Sequence, residues 1–419
     1  MVPNGWERHP IKDLCESIID CVNKTAKHVE YVTPFKMIRT TNVRNGRVDT
    51  NNVRYVEEDT YKQWIRRGAP KDGDIIFTRE APVGEAGILE NAQGIFLGQR
   101  TMMYRSHPER SDNCYLFYSL MSGYCQKQIE DFSNGGTVAH MRVPDCGELI
   151  INTPPLPEQR KIAKILSTWD KAIATTEKLI ETSKQQKKAL MQQLLTGKKR
   201  LGIESGSYSF QKTRYGDIPQ DWEYPSIREI CTQFTQKNVD NKELPVLSCS
   251  KHLGFVDSLK YFKKKVYSDD TSGYKVIPLN FFGFPSNHIE EGSIGLQRVY
   301  DYGIVSPIYV IFQSNRKRVD NEYLFSVLKT EHYRQIFCAA TNASVDRRGS
   351  LRWKEFSAIH VPLPPLEEQQ KIAAVLKAAD KEIELLEAKL AHLKEEKKAL
   401  MQQLLTGKRR VKVEEMEVA

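Results

Sequence analysis

The sequence predicts an α+β protein with a pseudo-two-fold tandem repeat: two mixed α/β blocks separated by two long antiparallel coiled-coil helices. Three observations predict it. Residues 154–200 and 364–410 are two copies of one segment, identical at 27 of 47 positions at a constant offset of 210 without a gap. Each copy carries a heptad pattern of apolar residues. The stretches in front of the two copies begin and end alike, while their middles differ. The predicted order is a first block at 1–153, a helix at 154–200, a second block at 201–363, a helix at 364–410 and a tail at 411–419.

Each helix has marked ends. A Pro-Pro-Leu run opens it, because proline is tolerated only in the first turn. Gly197 and Gly407 stand where a left-handed C-terminal cap belongs, followed by basic residues. The first seam reads Ile162, Leu166, Trp169, Ile173, Thr176, Ile180, Ser183, Lys187, Leu190, Leu194. The second reads Ile372, Leu376, Ala379, Ile383, Leu386, Leu390, Leu393, Lys397, Leu400, Leu404. The first seam has Thr176 and Ser183 where the second has Leu386 and Leu393, so the greasier seam is expected to support the poorer one. At about 1.5 Å per residue, each helix of about 39 residues spans about 58 Å. Heptads alone say that a helix pairs, and a structural stalk satisfies them.

The blocks show weaker similarity at their edges. Residues 3–15 align with 219–231, matching Trp6 to Trp222 and Ile11 to Ile227; Leu149 and Ile151 match Ile359 and Val361. Strands are predicted at Ile75-Ile76-Phe77, Gly303-Ile304-Val305 and 308–312, each β-rich and preceded by turn residues. Asn45-Gly46 signals a tight turn inside a basic, polar stretch. A duplicated chain of this kind imitates a two-fold dimer. Antiparallel helices would then present the blocks as two diverged readers in inverted relation, as dimeric proteins address half-sites about 34 Å apart.

Composition excludes several classes. The 419 residues are 40% hydrophobic and 27% charged, a globular balance. No apolar run approaches the roughly 18 residues of a membrane span, and the N-terminal stretch predicts no secretory leader. Eight scattered cysteines without a C-x-x-C pair argue against a zinc ribbon or a disulfide scaffold and fit a reducing cytoplasm. Net charge is +9, and it is concentrated: residues 154–200 hold 11 basic and 4 acidic groups, whereas 1–153 hold 19 and 20. A positive central segment suits phosphate contact. The chain has no P-loop, no G-x-G-x-x-G and no H-E-x-x-H. Asn152-Thr153-Pro154-Pro155 is only superficially similar to an amino-methyltransferase motif, and its second copy lacks the asparagine. No catalytic residue and no metal site is predicted.

Two blocks, each followed by a P-P-L-x-E-Q-x-K-I-A helix ending in Leu-Leu-Thr-Gly-Lys, resemble the specificity subunit of a type I restriction-modification system, over essentially the whole chain. The blocks resemble that family's target-recognition domains at Lys71–Phe77 with Gly84 and Gly87, and at Gly292–Gly295 followed by Gly303–Tyr309. The resemblance implies a non-catalytic, prokaryotic, cytoplasmic DNA-binding chain. Each domain would read one half of a split, asymmetric double-stranded DNA target. The helices would set the spacing and dock two methyltransferase subunits, which bind S-adenosylmethionine and methylate adenine. Two restriction subunits would add ATP- and Mg2+-dependent translocation and cleavage. No cofactor would sit on this chain.

Arginine, asparagine and glutamine are the side chains that read base edges in pairs of hydrogen bonds. The candidate readers in the first block are Arg39, Asn42, Arg44, Arg79, Gln99, Arg100, His140 and Arg142. In the second they are Lys251, Asn287, His288, Gln297, Arg298, Arg347 and Arg348. Taken singly, each reads first as part of an ordinary solvated loop. The competing reading is a coiled-coil scaffold with two globular heads that binds protein and has no DNA specificity.

Overall fold

The computed structural model describes residues 2–133, 139–204, 206–251, 253–341 and 350–413. The chain forms two compact units, Met1–Lys178 with Glu387–Ala419, and Leu179–Leu386. Each contains one block and one half of each long helix. The helices run Leu156–Leu194 and Leu366–Leu404, 39 residues apiece. No helix among the described residues is long and apolar enough to cross a membrane.

In the first unit a six-stranded sheet has the order Cys15–Asp20, Thr101–Ser106, Ile75–Arg79, Val83–Ile88, Arg47–Val48, Val43–Arg44. The central strand Ile75–Arg79 is buried on both faces at its first four residues, which explains its unbroken apolar run. Asn45 and Gly46, both at positive φ, close the edge hairpin as a two-residue turn. A three-stranded sheet, Arg54–Tyr55, Lys36–Ile38, Ile95–Leu97, stands beside it. Helices Asn113–Leu120 and Gly123–Ser133 contribute to the core of this block. The block is closed at its root, where Glu7–Pro10 pairs antiparallel with Ile150–Thr153.

The second unit repeats this plan with fewer strands. Its sheet order is Cys231–Phe234, Tyr309–Ser314, Phe282–Pro285, Gly295–Leu296, the counterpart of the first four strands above. Helices Asn321–Leu328 and Glu331–Ala340 match the first unit's helix pair. Two hairpins, Phe210–Thr213 with Gly216–Pro219 and Leu247–Ser250 with Gly254–Asp257, and the pair Lys275–Pro278 with Tyr302–Val305 complete its strands.

Within each unit the helix halves are antiparallel partners. In the first, Lys397 pairs with Asp170 at 2.5 Å and Lys394 with Glu177 at 2.9 Å; in the second, Lys187 pairs with Asp380. Seam residues are buried or half-buried throughout. Toward the blocks the seam merges with the block core: Ile162, Leu166 and Leu404 join one cluster, and Leu194, Ile372 and Leu376 the other.

The repeated signature residues build a clamp at each block root. Glu158 receives both nitrogens of the Arg410 fork, at 2.7 and 2.8 Å, and the Trp6 indole at 3.1 Å. Glu368 receives Arg200 at 2.9 and 2.6 Å and the Trp222 indole at 3.3 Å. Gln159 and Gln369 each donate to a helix-start proline carbonyl and to a block carbonyl, and accept from Asp112 or Asp320 N–H. Gly197 and Gly407 are at φ +68 and +71, and a Cβ there would lie 2.3 Å from Pro219 or Pro3. Both the turn and the close approach require glycine.

Candidate nucleic-acid interface

In the first block, several strands deliver their following residues to one edge. Strands Lys36–Ile38 and Ile95–Leu97 are parallel, so Arg39 and Gln99 leave them side by side, with Gly98 N–H donating to Ile38 carbonyl at 2.7 Å. Arg79 ends the central strand; its N–H reaches Arg100 carbonyl at 2.9 Å, and its carbonyl accepts from Met141 N–H at 2.9 Å. His140 bridges Glu80. The edge thus gathers Arg39, Arg79, Gln99, Arg100 and His140. Its exposed members are Gln99, Arg100 and His140. Arg100 pairs with Glu80 at 3.2 Å and Gln99 accepts from Thr25 at 3.2 Å.

Asn42, Arg44 and Arg79 have structural duties. Asn42 is 3% exposed. Its carbonyl accepts from Arg39 N–H, and its amide donates to Asp49 and Asn52 carbonyls. It staples its loop and is corrected from reader to support. Arg44 donates to Thr40 and Val43 carbonyls. Arg79 is largely buried, held by Asp20 Oδ1 at 3.0 Å and Met141 carbonyl at 3.2 Å, so it shapes the edge from below. Arg142 is exposed and forms a fork with Asp145, which holds its pKa above the ordinary value.

The second block builds the equivalent edge from other residues. Leu351 N–H donates to Ser286 carbonyl at 2.8 Å, and Ser286 N–H to Ile308 carbonyl at 3.3 Å, the counterparts of the Met141, Arg79 and Arg100 contacts. Asn287 follows Ser286 and is half-buried; His288 is exposed and paired with Glu291 at 3.2 Å. Lys251 is exposed in a hairpin turn, its carbonyl bonded by Lys329 at 2.7 Å. Gln297 is fully buried; its side-chain amide donates to the Tyr300 carbonyl and accepts from Val299 and Tyr300 N–H within its own loop. It too is corrected to a loop staple. Arg298 lies beyond the other end of strand Phe282–Pro285, paired with Glu322 and 4.8 Å over the Phe325 ring. The structure does not bring it to Asn287. Arg347 and Arg348 lie outside the described residues.

Electrostatics adds residues that the sequence reading missed. Arg39 Nε is buried without a hydrogen-bond partner among the described residues. Burial, then the nearby Arg54, pushes its pKa down. In the second block Lys275 is bridged to Lys237 through the backbone, and burial and then Lys237 push its pKa down. No carboxylate among the described residues pairs with Arg39, Arg54, Lys237 or Lys275 within 4.0 Å. Arg39 beside Arg54 and Lys275 beside Lys237 are thus like-charge neighbours, and the Lys275 ammonium donates to the Tyr309 carbonyl. Arg54 and Lys237 were invisible because pairing across 15 and 38 residues of chain has no local signal.

Other chemistry is thin. Among the described residues, His288, Glu290 and Glu291 are the only group bringing three metal-ligating atoms within 4.8 Å, all on one surface turn. An open cleft of about 600 Å³ lies at the first block's root, lined by Glu7, His9, Asp13 and Glu109 among others, and contains none of the candidate readers.

Comparison with known proteins agrees with this architecture. Residues 3–185 and 219–395 match the family described as type I restriction modification DNA specificity domain. The type I restriction enzyme MjaVIII specificity subunit of Methanocaldococcus jannaschii is 29% identical over 379 residues, covering 84% of this chain and 85% of that protein. The S subunit of a type I restriction-modification system from M. genitalium has the same fold, with a TM-score of 0.56 at 16% identity, covering 97% and 98% of the two chains. The HsdS subunit from Thermoanaerobacter tengcongensis gives 0.51 at 16% identity, covering 97% and 98%. With two block-and-helix repeats each matched in turn, the chain belongs to the type I restriction-modification DNA specificity family.

Proposed function

We propose that each block reads one half of a bipartite, asymmetric DNA target through its strand-end edge. The observation that carries this reading is the equivalence of the two edges. The same backbone contacts present Arg100 and Glu80 in one block and Ile308 and Asn287 in the other. A common frame displaying different side chains is what two different half-sites require. Arg39, Gln99, Arg100, His140 and Arg142 are the base-reading candidates of the first block, and Lys251, Asn287 and His288 those of the second. Arg54, Lys237 and Lys275 suit phosphates.

The chain supplies specificity and leaves catalysis to partners. Two methyltransferase subunits with S-adenosylmethionine would modify adenine, and two restriction subunits with ATP and Mg2+ would cleave. The methyltransferases dock on a surface present once in each unit. Residues 187–198 and 397–408 are identical at every position. Packing accounts for Leu194, Leu195 and Gly197, but Lys188, Ala189, Gln192, Gln193 and Lys198 are exposed in both copies. Most exposed positions earlier in the helices differ, such as Thr182 against His392, although Lys161, Lys171 and Lys184 recur as Lys371, Lys381 and Lys394. An exposed surface kept identical twice fits one partner bound twice.

Genome-wide methyladenine mapping in cells expressing the chain with its methyltransferase tests the reading. A split motif with a fixed undefined gap, lost when this chain is deleted, is expected. Methylation independent of this chain, or a complex that prefers no duplex in a gel shift, refutes it.

A further inference from the structure

The second block exposes an apolar and basic knuckle that its own core does not use. Residues 258–266 read Ser-Leu-Lys-Tyr-Phe-Lys-Lys-Lys-Val. A helical turn, Ser258–Phe262, is capped by Asp257, whose carboxylate accepts from Lys260 N–H at 3.0 Å. Lys263 then takes a left-handed conformation, φ 54, and ends the turn. Leu259 is 52% exposed, Tyr261 48%, Phe262 43% and Val266 47%. The Tyr261 and Phe262 rings stand edge to face with centroids 5.0 Å apart, so they form one apolar tip. Lysines surround it. Lys260 donates to Tyr300 hydroxyl at 3.1 Å and Lys265 pairs with Asp269. No carboxylate among the described residues pairs with Lys263 or Lys264 within 4.0 Å.

The first block handles a short helix at the comparable point of its chain in the opposite way. Glu58–Trp64 has an acidic first turn. Its Tyr61 stacks on Phe35 with centroids 4.6 Å apart, and Tyr61 and Trp64 both meet Phe96 edge-on. Those aromatics serve the core, whereas Tyr261 and Phe262 are left in water. Exposed rings interleaved with uncompensated lysines suit a polyanion that also offers apolar faces. Nucleic acid does, through phosphates beside sugar and base surfaces. The knuckle follows hairpin Leu247–Asp257 at the end away from the turn that carries Lys251.

We propose that this knuckle is a second, sequence-independent contact to duplex DNA, with Lys263 and Lys264 on backbone phosphates and the Tyr261–Phe262 tip against sugar or base surface. This rests on the reading of the second block as a DNA reader. The test uses the full chain assembled with its methyltransferase, on a duplex containing the mapped target and on one of equal composition without it. Affinity is measured across a salt series for K263Q/K264Q and for Y261S/F262S. Each variant is expected to bind both duplexes at least five-fold more weakly, with the ratio between them unchanged. The lysine variant should also lower the slope of log affinity against log salt by about 1.8, at roughly 0.9 per phosphate contact. Unchanged affinity in both variants overturns the proposal. So does loss of target preference, which would make the knuckle a base reader, or loss of the methyltransferase, which would make it a protein-docking surface. A parent complex with no target preference refutes the specific-reader function instead, and the knuckle is then judged on total affinity alone. The substituted side chains are exposed, so melting temperatures within about 2 °C of the parent are expected.

Discussion

Replacing Glu368 with glutamine should destabilise the second unit strongly. The Arg200 and Glu368 side chains are 4% and 10% exposed, and they share two hydrogen bonds at 2.9 and 2.6 Å. Removing one member of a buried pair leaves the other charge uncompensated, at a cost of about 3–5 kcal/mol. Arg200 keeps Asp221 at 2.7 Å, but that carboxylate is half in water. The low end, about 3 kcal/mol, is therefore expected. For a unit of roughly 200 residues this lowers the melting temperature by about 6–12 °C, at about 2–4 °C per kcal/mol. Calorimetry of the full chain, with the two transitions resolved, is the assay. E158Q should shift the first unit's transition less, because its partner Arg410 is 44% exposed and screened by solvent. The double variant R200M/E368M should lie nearer the parent than E368Q does, since apolar replacements can stand in for a buried pair. A shift under 2 °C for E368Q, or a double variant worse than E368Q, would refute the clamp as the element that joins helix and block.

Four further outcomes are expected. Arg100→Ala should cost about 1–3 kcal/mol of binding at one base position, whereas Lys275→Gln should weaken all duplexes alike and reduce the salt slope by about 0.9, read by competition binding. Four residues inserted into both helices, after Lys178 and after Leu386, add about 6 Å to each; methylation mapping should then show a spacer one or two base pairs wider, at about 3.4 Å per pair. Glu177 lies 2.9 Å from Lys394 and 3.1 Å from Arg47, and its hydrogen bond to Lys394 holds its pKa below the ordinary glutamate value. Its stabilisation is thus complete above the ordinary range and lost as pH falls through the depressed value, so E177Q should be less stable than the parent by under about 1 kcal/mol at neutral pH and equal to it in strong acid, followed by urea titration. Exchanging residues 16–148 for another block, keeping Trp6 and Asn152, should change one half-site; a change in both would show that the blocks do not read independently.

The parts of this structure written in local periodicity were legible. Both helices, their glycine caps, the Asn45-Gly46 turn and the strands at 75–79, 302–305 and 309–314 follow from spacing and residue type. The site was legible only as a neighbourhood. Asn42 and Gln297 have the chemistry of base readers, but the same amides serve equally to tie a loop, and only burial distinguishes the two uses. Arg79 looked like Arg100 until Asp20, 59 residues away, was seen to hold it. The clamp shows the same gap from the other side. Glu158, Arg410 and Trp6 recur in the repeat as Glu368, Arg200 and Trp222, so their importance was visible. Their mutual contact was not, since Glu158 and Arg410 are 252 positions apart.

The clamp also explains how readers can diverge on a constant frame. In the first unit the chain enters its block at Glu7–Pro10 and leaves it at Ile150–Thr153, and these segments are paired strands. In the second, Glu223 and Ser226 bridge Leu363 and His360 in the same way. Entry and exit are thus adjacent, and everything between them is an excursion that returns to its start. The block meets the helices at this root and also beside it, where Arg47 reaches Glu177 at 3.1 Å and the Tyr118 hydroxyl donates to Asp170 at 2.6 Å. At the root a two-pronged hydrogen bond fixes the arginine to the glutamate, a single indole bond fixes the tryptophan to the same carboxylate, and steric fit fixes the glycine. Substitutions at Arg100 or Asn287 alter what the edge presents without touching a clamp residue. Substitutions at Glu158 or Arg200 alter where a helix end sits without touching the edge. Among the described residues no hydrogen bond or ion pair links Glu158, Arg410 or Trp6 to Arg79, Arg100 or Glu80, so edge and root are open to separate perturbation.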